Sequence, residues 1–344
     1  MAVSAKDIAA LIHVSPATVS MVLNHKPGIG EATRKKVLDA AQTLGYDLGK
    51  HSIQQHTANQ DNYSIHFIFF KRSGIVVADT PFFSELMEGI AQACNHIKCP
   101  FRVSYHYYND DFQQQVKNNG YLESSGLILL GTEMEASDIE QFQTLGVPFV
   151  VLDCYYDEIQ ADFVLINNVQ GAFLATKHLI NFGHKKIGYL KSSIRIANFE
   201  ERANGYYIAL QKNGIEVFHP YVVELSPTAN QGYEDMLRYL ERDPELATAY
   251  FADNDIIAAA ASRAFAEKGL LMSKPISIIG FDDMPFCHLM TPALSTMEVA
   301  KRSLATIAVN RLIEKLQFPS SNFRKISIAT ALISRDSVHR CCST

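Results

Sequence analysis

Hydrophobic positions recur at helical spacing in three short stretches of the first 46 residues. In the second stretch Val19, Val22 and Leu23 share one face, and the stretch begins with Ser15 and Pro16, which suit a helix N-cap and a first helical turn. The inward positions of the flanking stretches are Ile8, Ala9 and Ile12, then Val37, Leu38, Ala41 and Leu44. The pattern predicts helices over residues 4–12, 16–24 and 31–44.

Only His13 and Val14 separate the first two predicted helices, and such a tight connection is typical of a helix-turn-helix motif. In that motif the second helix enters the DNA major groove with its N-terminal residues facing base edges. The outward face of the second helix consists of Pro16, Ala17, Ser20, Met21 and Asn24. By pattern alone, a DNA-binding motif and a purely structural three-helix module both fit this stretch.

Residues 47–64 are polar and have few apolar anchors, which predicts a linker. From Ile65 onward, short apolar runs alternate with amphipathic helices, a pattern typical of parallel α/β sheets. The predicted strands are 65–70, 101–105, 126–130, 149–152, 186–190, 217–225, 249–251, 276–281 and 325–333. The predicted helices are 82–97, 110–121, 136–145, 169–182, 200–212, 230–241, 256–268 and 299–316.

A helix, a glycine and a short apolar strand follow one another at Gly146, Gly183, Gly214 and Gly269, so one αβ junction recurs along the chain. We therefore expect two similar doubly wound lobes. The first covers about 65–160 plus a segment near 291–318, and the second covers about 164–290 plus 320–335. Ligands in open α/β sheets bind beyond the carboxyl ends of the strands, so the two lobes predict a cleft between them.

Composition and charge narrow the class of protein. The 344 residues are 47% hydrophobic and 19% charged, which suits more than one globular domain. Residues 1–50 hold six lysines and arginines against four acids, whereas the rest holds 25 against 32, so only the N-terminal part is basic. The six cysteines form no C-x-x-C pair, and no signal peptide or membrane-spanning run is present. We expect a reduced cytoplasmic protein without a metal or another cofactor.

Polar residues directly follow three of the predicted strands and are the candidates for the cleft. They are Asp153, the pair Asn254 and Asp255, and the pair Asp282 and Asp283. A lone carboxylate at a strand end suits hydrogen bonds to a vicinal diol. Capping of the following helix is the alternative for Asn254, and a structural turn is the alternative for Asp282.

Catalysis is disfavoured by what surrounds these acids in the sequence. An enzyme would use Asp282 and Asp283, or Asp253 and Asp255, as metal ligands or acid/base groups. No phosphate-cradling glycine loop, nucleophile elbow or histidine-bearing metal pair accompanies them, and His106, His184 and His288 are isolated. The sequence therefore does not predict an enzyme.

The chain resembles the LacI/GalR family of transcription regulators. The headpiece motifs are Lys6-Asp7-Ile8-Ala9, Val14-Ser15-Pro16-Ala17-Thr18-Val19-Ser20, Val22-Leu23-Asn24, Thr33-Arg34-Lys35-Lys36-Val37 and Leu44-Gly45-Tyr46. The effector-domain motifs are Pro81-Phe82-Phe83, Gly183-His184-Lys185-Lys186-Ile187, Arg202-Ala203-Asn204-Gly205-Tyr206, Phe251-Ala252-Asp253-Asn254-Asp255, Ile278-Ile279-Gly280-Phe281-Asp282-Asp283 and Thr291-Pro292-Ala293-Leu294-Ser295-Thr296. The resemblance spans essentially the whole chain.

This resemblance implies an all-α helix-turn-helix headpiece over 1–46, a hinge or linker over 47–64, and a periplasmic-binding-protein-like α/β effector domain over 65–340. It implies a sequence-specific repressor that binds operator DNA as a homodimer and responds to a small molecule, a sugar or sugar derivative, in the cleft. The alternative is a small-molecule sensor whose headpiece contacts a protein instead of DNA. A gel shift against the protein's own promoter region separates the two.

The resemblance also implies site residues. The DNA-binding candidates are Ser4, Ala5, Lys6, Ser15, Pro16, Ala17, Thr18, Ser20, Met21, Asn24 and Thr33, and the hinge candidates are Ile53 and Gln55. The effector-binding candidates are Phe82, Phe83, Asp153, Arg195, Asn198, Arg202, Asn254 and Asp282. Met21 replaces the arginine with which the family usually reads a guanine, so one strong bidentate base contact is missing and the family's usual operator is not expected.

Overall fold

A computed structural model describes residues 5–23, 29–44, 63–77, 80–270 and 276–341. The chain divides into two units, Met1–Asn62 and Tyr63–Thr344.

The first unit contains three helices, α1 (Ala5–Ile12), α2 (Pro16–Leu23) and α3 (Glu31–Thr43). Their shared core consists of Ile8, Ala9, Val19, Val22, Val37, Ala40 and Ala41, with Ile12, Val14, Ile29 and Leu44 partly buried around it. The three predicted helices are thereby confirmed within the described residues. The side chains of Leu23 and Leu38, which were also expected inside, are not described.

The second unit consists of helices and parallel strands around two sheets. The helices are α4 (Pro81–His96), α5 (Phe112–Asn119), α6 (Ala136–Gln143), α7 (Asn168–Asn181), α8 (Ala197–Lys212), α9 (Ala229–Leu240), α10 (Asp255–Glu267) and α11 (Lys301–Gln317). The strands are β1 (Ile65–Lys71), β2 (Phe101–Tyr107), β3 (Gly126–Leu130), β4 (Phe149–Leu152), β5 (Asp162–Ile166), β6 (Ile187–Ser192), β7 (Val222–Leu225), β8 (Ala249–Ala252), β9 (Ser277–Ile279), β10 (Thr296–Glu298), β11 (Lys325–Ile328) and β12 (Ala331–Ile333).

The larger sheet has six parallel strands in the order β11-β5-β4-β3-β1-β2 and forms the first lobe. Its interior strands read as continuous apolar runs because helices cover both faces, and every residue of β3 is buried. The smaller sheet has four parallel strands in the order β7-β6-β8-β9 and forms the second lobe. The predicted fold class, a helix-turn-helix unit followed by two parallel α/β lobes, is confirmed.

The C-terminal part of the chain differs from the prediction. Residues 325–333 form two strands instead of one: β11 pairs with β5 in the first lobe, while β12 pairs antiparallel with β10. Residues 320–335 were expected in the second lobe, but β11 lies in the sheet of the first. Two strands, β5 and β10, were not predicted at all.

Residues 217–225 also differ from the prediction, because His219–Tyr221 form a 3-10 turn before the strand β7. Pro220 lies in this turn, where its missing N–H removes a bond that a strand needs.

The recurrent αβ junction is confirmed at all four predicted glycines. Gly146, Gly183, Gly214 and Gly269 have φ of 66°, 91°, 65° and 69° and follow α6, α7, α8 and α10. A residue without a Cβ adopts this left-handed conformation without strain and ends the helix. Among the described residues, no helix is both long enough and apolar enough to cross a membrane.

Candidate functional site

A cavity lies between the two lobes, at the carboxyl ends of their parallel strands. The first lobe contributes Val76, Thr80, Phe82, Phe83, Thr132 and Asp153 to its lining. The second lobe contributes Ile196, Asn198, Phe199, Arg202, Asn254, Ile256, Asp282 and Met284. Seven of the eight predicted effector-binding residues therefore meet in this cavity.

Arg195 is the predicted effector-binding residue that does not line the cavity. Its Nε donates to Glu200 Oε1 at 2.8 Å, and its Nη1 donates to Asp253 Oδ2 at 2.7 Å. Because Asp253 is fully buried, the structure accounts for Arg195 as the partner of a buried carboxylate.

Two of the cavity carboxylates extend from backbone that is unusual for a non-glycine residue. Asp153 follows β4 with a φ of 76°, and Asp282 follows β9 with a φ of 112°. Residues in this region carry strain and cluster at ligand sites, where surrounding contacts hold them. Both strand ends therefore share the backbone strain that is common at ligand-binding sites.

Asp282 is fixed by contacts on its backbone. Its N–H donates to the carbonyl of Met297 at 2.8 Å, and its own carbonyl accepts from Lys301 Nζ at 2.8 Å. These bonds come from the segment at β10 and from the first residue of α11, so Asp282 rests on residues distant in the sequence.

Asp255 is fully buried and holds the loop that carries Asp282. Its carboxylate accepts from Thr296 Oγ1 at 2.6 Å and from the N–H of Met284 at 2.8 Å. A Cβ on Gly280 would lie 2.1 Å from Asp255 Oδ1, so only glycine fits there. Burial, reinforced by the charge of Asp282, raises the pKa of Asp255 to about 7.

Arg202 lies beneath the cavity and is almost fully buried. Its Nε donates to Asn168 Oδ1 at 2.9 Å, its Nη1 to the carbonyl of Asp253 at 2.6 Å, and its Nη2 to Asp282 Oδ1 at 3.1 Å. Its guanidinium carbon also lies 3.8 Å from the centre of the Phe281 ring. Arg202 thus orients Asp282 towards the ligand space.

Asn254 caps α10, because its Oδ1 accepts the N–H of Ile257 at 3.0 Å. The capping alternative weighed for Asn254 is therefore correct as far as the oxygen is concerned. Asn254 still lines the cavity, so capping and a ligand contact are compatible.

Asp153 faces Asn254 and Asp282 from the first lobe. Its Oδ2 accepts from Thr132 Oγ1 at 2.6 Å, whereas its Oδ1 has no hydrogen-bond partner within the described part of the chain. Burial raises the pKa of Asp153 to about 6; Thr132, Arg202 and the nearby Asn198 amide oppose the rise, and Asp282 reinforces it. Buried acceptors without a close protein donor are rare, and this one is available to a donor on a bound ligand.

The aromatic wall of the cavity comes from the start of α4, where Phe82 and Phe83 are buried with ring centres 5.0 Å apart. Beside them lies a loop, residues 72–77, that wraps around Glu133. The Glu133 carboxylate accepts five backbone N–H groups, those of Arg72, Ser73, Gly74, Val76 and Val77. This buried anion fixes the position of Val76 in the cavity wall.

Sequence reasoning missed several cavity residues, namely Val76, Thr80, Thr132, Ile196, Phe199, Ile256 and Met284. One signal was available for Thr132, which follows β3 just as Asp153 follows β4. The apolar members carry no chemical signal in the sequence.

The predicted DNA-binding residues lie in the first unit, where Ser15 caps α2. The N–H of Thr18 donates to Ser15 Oγ at 3.0 Å, and the two hydroxyls lie 2.8 Å apart. Ser15 and Pro16 are exposed, while Thr18, Met21 and Thr33 are half-buried. Ala5, Lys6, Ala17 and Ser20 lie in helices but their side chains are not described, and Ser4, Asn24, Ile53 and Gln55 lie outside the described residues.

Comparisons with known proteins agree with this architecture. The family model described as bacterial regulatory proteins, lacI family, matches residues 4–47, and that of the periplasmic binding protein-like domain matches residues 176–338. The ribose operon repressor of Haemophilus influenzae is 30% identical, over 97% of this chain and 98% of its own length.

Two solved structures have the same fold. The lac repressor dimer bound to operator and the anti-inducer ONPF has a TM-score of 0.70 and 23% identity, over 98% of this chain and 100% of that chain. A LacI family transcriptional regulator from Enterococcus faecium with bound ribose has a TM-score of 0.69 and 24% identity, over 80% of this chain and 100% of that chain.

A helix-turn-helix unit joined to a two-lobed α/β unit with a polar interlobe cavity defines a ligand-responsive DNA-binding protein. The chain belongs to the LacI family of bacterial regulatory proteins, as its full-length similarity to a 30% identical member establishes. It is a sequence-specific DNA-binding transcriptional regulator that responds to a small molecule.

Proposed function

We propose that this protein is a repressor whose operator binding is controlled by a sugar or sugar derivative bound in the interlobe cavity. The observation that carries the proposal is the meeting of Asp153 from one lobe with Arg202, Asn254 and Asp282 from the other. Carboxylates accept from hydroxyls, and amide and guanidinium groups donate to them, so this set suits a polyhydroxylated ring. The aromatic wall at Phe82 and Phe83 suits the ring's apolar face.

The relatives support this ligand class. The Haemophilus influenzae relative is a ribose operon repressor, and the Enterococcus faecium structure contains ribose. Within the described part of the chain, no histidine or cysteine lines the cavity, which favours binding over catalysis. We accordingly propose that the protein is not an enzyme and that it acts in the cytoplasm, where its DNA lies.

We propose a division into a headpiece over 1–46, a linker over 47–64 that carries Ile53 and Gln55, and an effector domain over 65–340. In the headpiece, the N-terminal turn of α2 with Ser15, Pro16 and Ala17 would read bases. Two headpieces on a palindromic operator match the symmetry of helix-turn-helix recognition, so the active species is a homodimer. Light scattering in the presence and absence of operator DNA would measure its mass.

Substitution of Asp282 tests the effector site. Asp282→Asn retains an acceptor for Arg202 but removes the charge, and a hydrogen bond to a charged group is worth about 1.5–3 kcal/mol. A sugar that releases wild-type protein from the DNA upstream of its own gene should therefore act on the variant only at roughly tenfold or higher concentration. Fluorescence anisotropy of labelled DNA gives both values.

The control for this experiment is Asp283→Asn, because the neighbouring Asp283 pairs with Arg335 and does not line the cavity. An unchanged sugar response in Asp282→Asn would place the effector elsewhere. Loss of operator binding without any sugar would instead make Asp282 a structural residue.

Salt dependence tests the DNA contacts. Lys35 is exposed on α3, and operator affinity should fall with salt at a log–log slope of about −0.9 per phosphate contacted. Lys35→Ala should weaken binding to all sequences alike and reduce the slope by about one contact. Lys268→Ala, at an exposed lysine of the second unit, should change neither quantity. A salt-independent affinity would contradict DNA binding by the headpiece.

A further inference from the structure

The two oxygens of the Asp153 carboxylate differ in their hydrogen bonding. Oδ2 accepts from Thr132 at 2.6 Å, while Oδ1 is buried, faces the cavity region and has no partner in the described part of the chain. The residue is 3% exposed, so water cannot solvate that oxygen freely. Besides the neighbouring Asn198 amide, whose hydrogen bonding opposes the rise in the pKa of Asp153, a donor that enters the cavity can satisfy this oxygen.

The guanidinium of Arg202 already donates hydrogen bonds to protein groups. Three of the five N–H groups of Arg202 donate to protein acceptors, and one of these acceptors is the Asp282 carboxylate. The face of the guanidinium is covered by Phe281. The positive charge of Arg202 is therefore balanced chiefly by Asp282, although its remaining N–H groups can still donate to a neutral ligand.

Charge in the described lining is consequently unbalanced. Asp153 and Asp282 carry two negative charges against the single positive charge of Arg202. In a buried site such an imbalance repels an anion much more strongly than in water, because the surroundings screen poorly.

We propose that Asp153 makes the cavity selective for an uncharged polyol, which donates a hydroxyl to Asp153 Oδ1, and that it excludes phosphorylated or carboxylated forms of the same sugar. This inference rests on the proposed effector site and specifies its ligand. Ligand binding then stabilises the ionised form of Asp153, whereas an anion beside it destabilises that form.

The test uses matched ligand pairs with the full-length protein. Binding of ribose and ribose 5-phosphate, and of glucose and glucuronate, is measured by calorimetry at pH 7.5. We expect a neutral sugar to bind at least about tenfold tighter than its anionic partner, a difference that one disfavoured charge contact readily produces. In Asp153→Asn the neutral sugar should bind more weakly and the preference should shrink towards equality.

Proton linkage provides a second readout that a merely structural Asp153 would not give. The groups that act on Asp153 are Arg202, Asp282 and the neighbouring Cys154, whose thiol stays protonated because burial raises its pKa well above the ordinary value. Since burial raises the pKa of Asp153 to about 6, sugar binding near pH 6 should release a proton, and sugar affinity should fall as the pH drops below that value. Calorimetry in two buffers of different ionisation enthalpy counts the proton, and Asp153→Asn should release fewer protons than the wild type, because burial also raises the pKa of Asp282 and that carboxyl is retained.

The outcomes separate this inference from the proposed function. Equal or tighter binding of the anionic partner, or an unchanged preference in a folded Asp153→Asn protein, overturns the inference and leaves the effector site standing. Failure of both members of every pair to bind overturns the effector site and the inference together. Thermal unfolding of the variant, followed by circular dichroism, establishes that it is folded.

Discussion

Arg202 Nη2 donates to Asp282 Oδ1 across 3.1 Å, and this contact ties α8 to the loop after β9. The Arg202 side chain is 3% exposed and that of Asp282 is 13% exposed, so the ion pair is largely shielded from water. The binding surface of the second lobe is therefore organised by an arginine that supports a carboxylate.

Substitution of Arg202 should lower the free energy of unfolding. Arg202→Met leaves Asp282, Asn168 and the carbonyl of Asp253 without their shared donor, and breaking one side of a buried pair typically costs about 3–5 kcal/mol. Urea unfolding measures the loss. The control is Arg263→Met, because Arg263 also lies 3.8 Å from an aromatic ring centre, that of Tyr233, but is exposed. Equal losses in the two variants would contradict a special role for the buried network.

Strand ends were the part of the site that the sequence revealed. Asp153, Asn254 and Asp282 each follow an apolar run, and parallel strands bring their carboxyl ends to one edge, so their meeting in a cavity was predictable. The pairing of Arg202 with Asp282 was not, because it joins residues 80 positions apart. The wrapping of residues 72–77 around Glu133 depends on a similar long-range contact.

The strands of the fold were likewise predictable only where local sequence patterns determine them. β3 and β4 begin and end where their apolar runs predict. β5 was missed although Asp162–Ile166 is mostly apolar: its first residue is a buried aspartate, stabilised by Arg311 on α11, which no local pattern discloses. The alternation in 325–333 indicated extended chain, but it carried no information about which sheet each half would join.

Glu133 should control both stability and the cavity wall. Glutamine offers one acceptor oxygen where the carboxylate offers two, so Glu133→Gln leaves two or three buried N–H groups facing an NH₂ group. Each orphaned donor costs about 1–3 kcal/mol, which predicts a loss of at least about 2 kcal/mol in unfolding free energy.

Hydrogen exchange gives a local measurement of the same change. Amides of residues 72–77 should exchange faster in Glu133→Gln, and sugar affinity should fall because Val76 loses its fixed position. Glu140→Gln, at an exposed glutamate of α6, should alter neither. Unchanged exchange in the loop would show that Glu133 does not hold it.

Two buried histidines should each contribute a loss of stability in acid to the second unit. His66 bonds Ser104 Oγ at 2.8 Å, His106 contacts the Tyr121 hydroxyl at 3.2 Å, and burial lowers the pKa of each ring from 6.5 to about 4. Between pH 6.5 and 4 the unfolded chain binds protons that the folded chain does not. The contribution of these histidines to stability is therefore complete above pH 6.5 and falls as the pH decreases towards 4, by at most about 3 kcal/mol per histidine, while the raised pKa values of Asp153 and Asp255 act in the opposite direction.

A pH series of unfolding free energies measures this loss, and substitution assigns it. His66→Asn can still bond Ser104 but cannot titrate, so its stability relative to that of the wild type should increase as the pH decreases from 6.5 to 4.5. His219→Asn, at an exposed histidine, should follow the wild-type profile. Parallel profiles for all three proteins would refute the assignment.

The ion pair of Arg311 with Asp162 should be among the main stabilising contacts of the first lobe. Both side chains are 1% exposed, Arg311 Nε donates to Asp162 Oδ1 at 2.7 Å, and the backbone N–H of Arg324 donates to the same oxygen at 2.8 Å. These bonds join α11 to β5 and to the segment that leads into β11. Arg311→Met leaves a buried carboxylate with a single donor, so unfolding free energy should fall by about 3–5 kcal/mol.

Arg324→Met is the matched control, because it removes only an exposed pair with Glu314, worth about 0–1 kcal/mol, and keeps the backbone N–H. Similar effects of the two substitutions in urea unfolding would show that burial does not govern this pair.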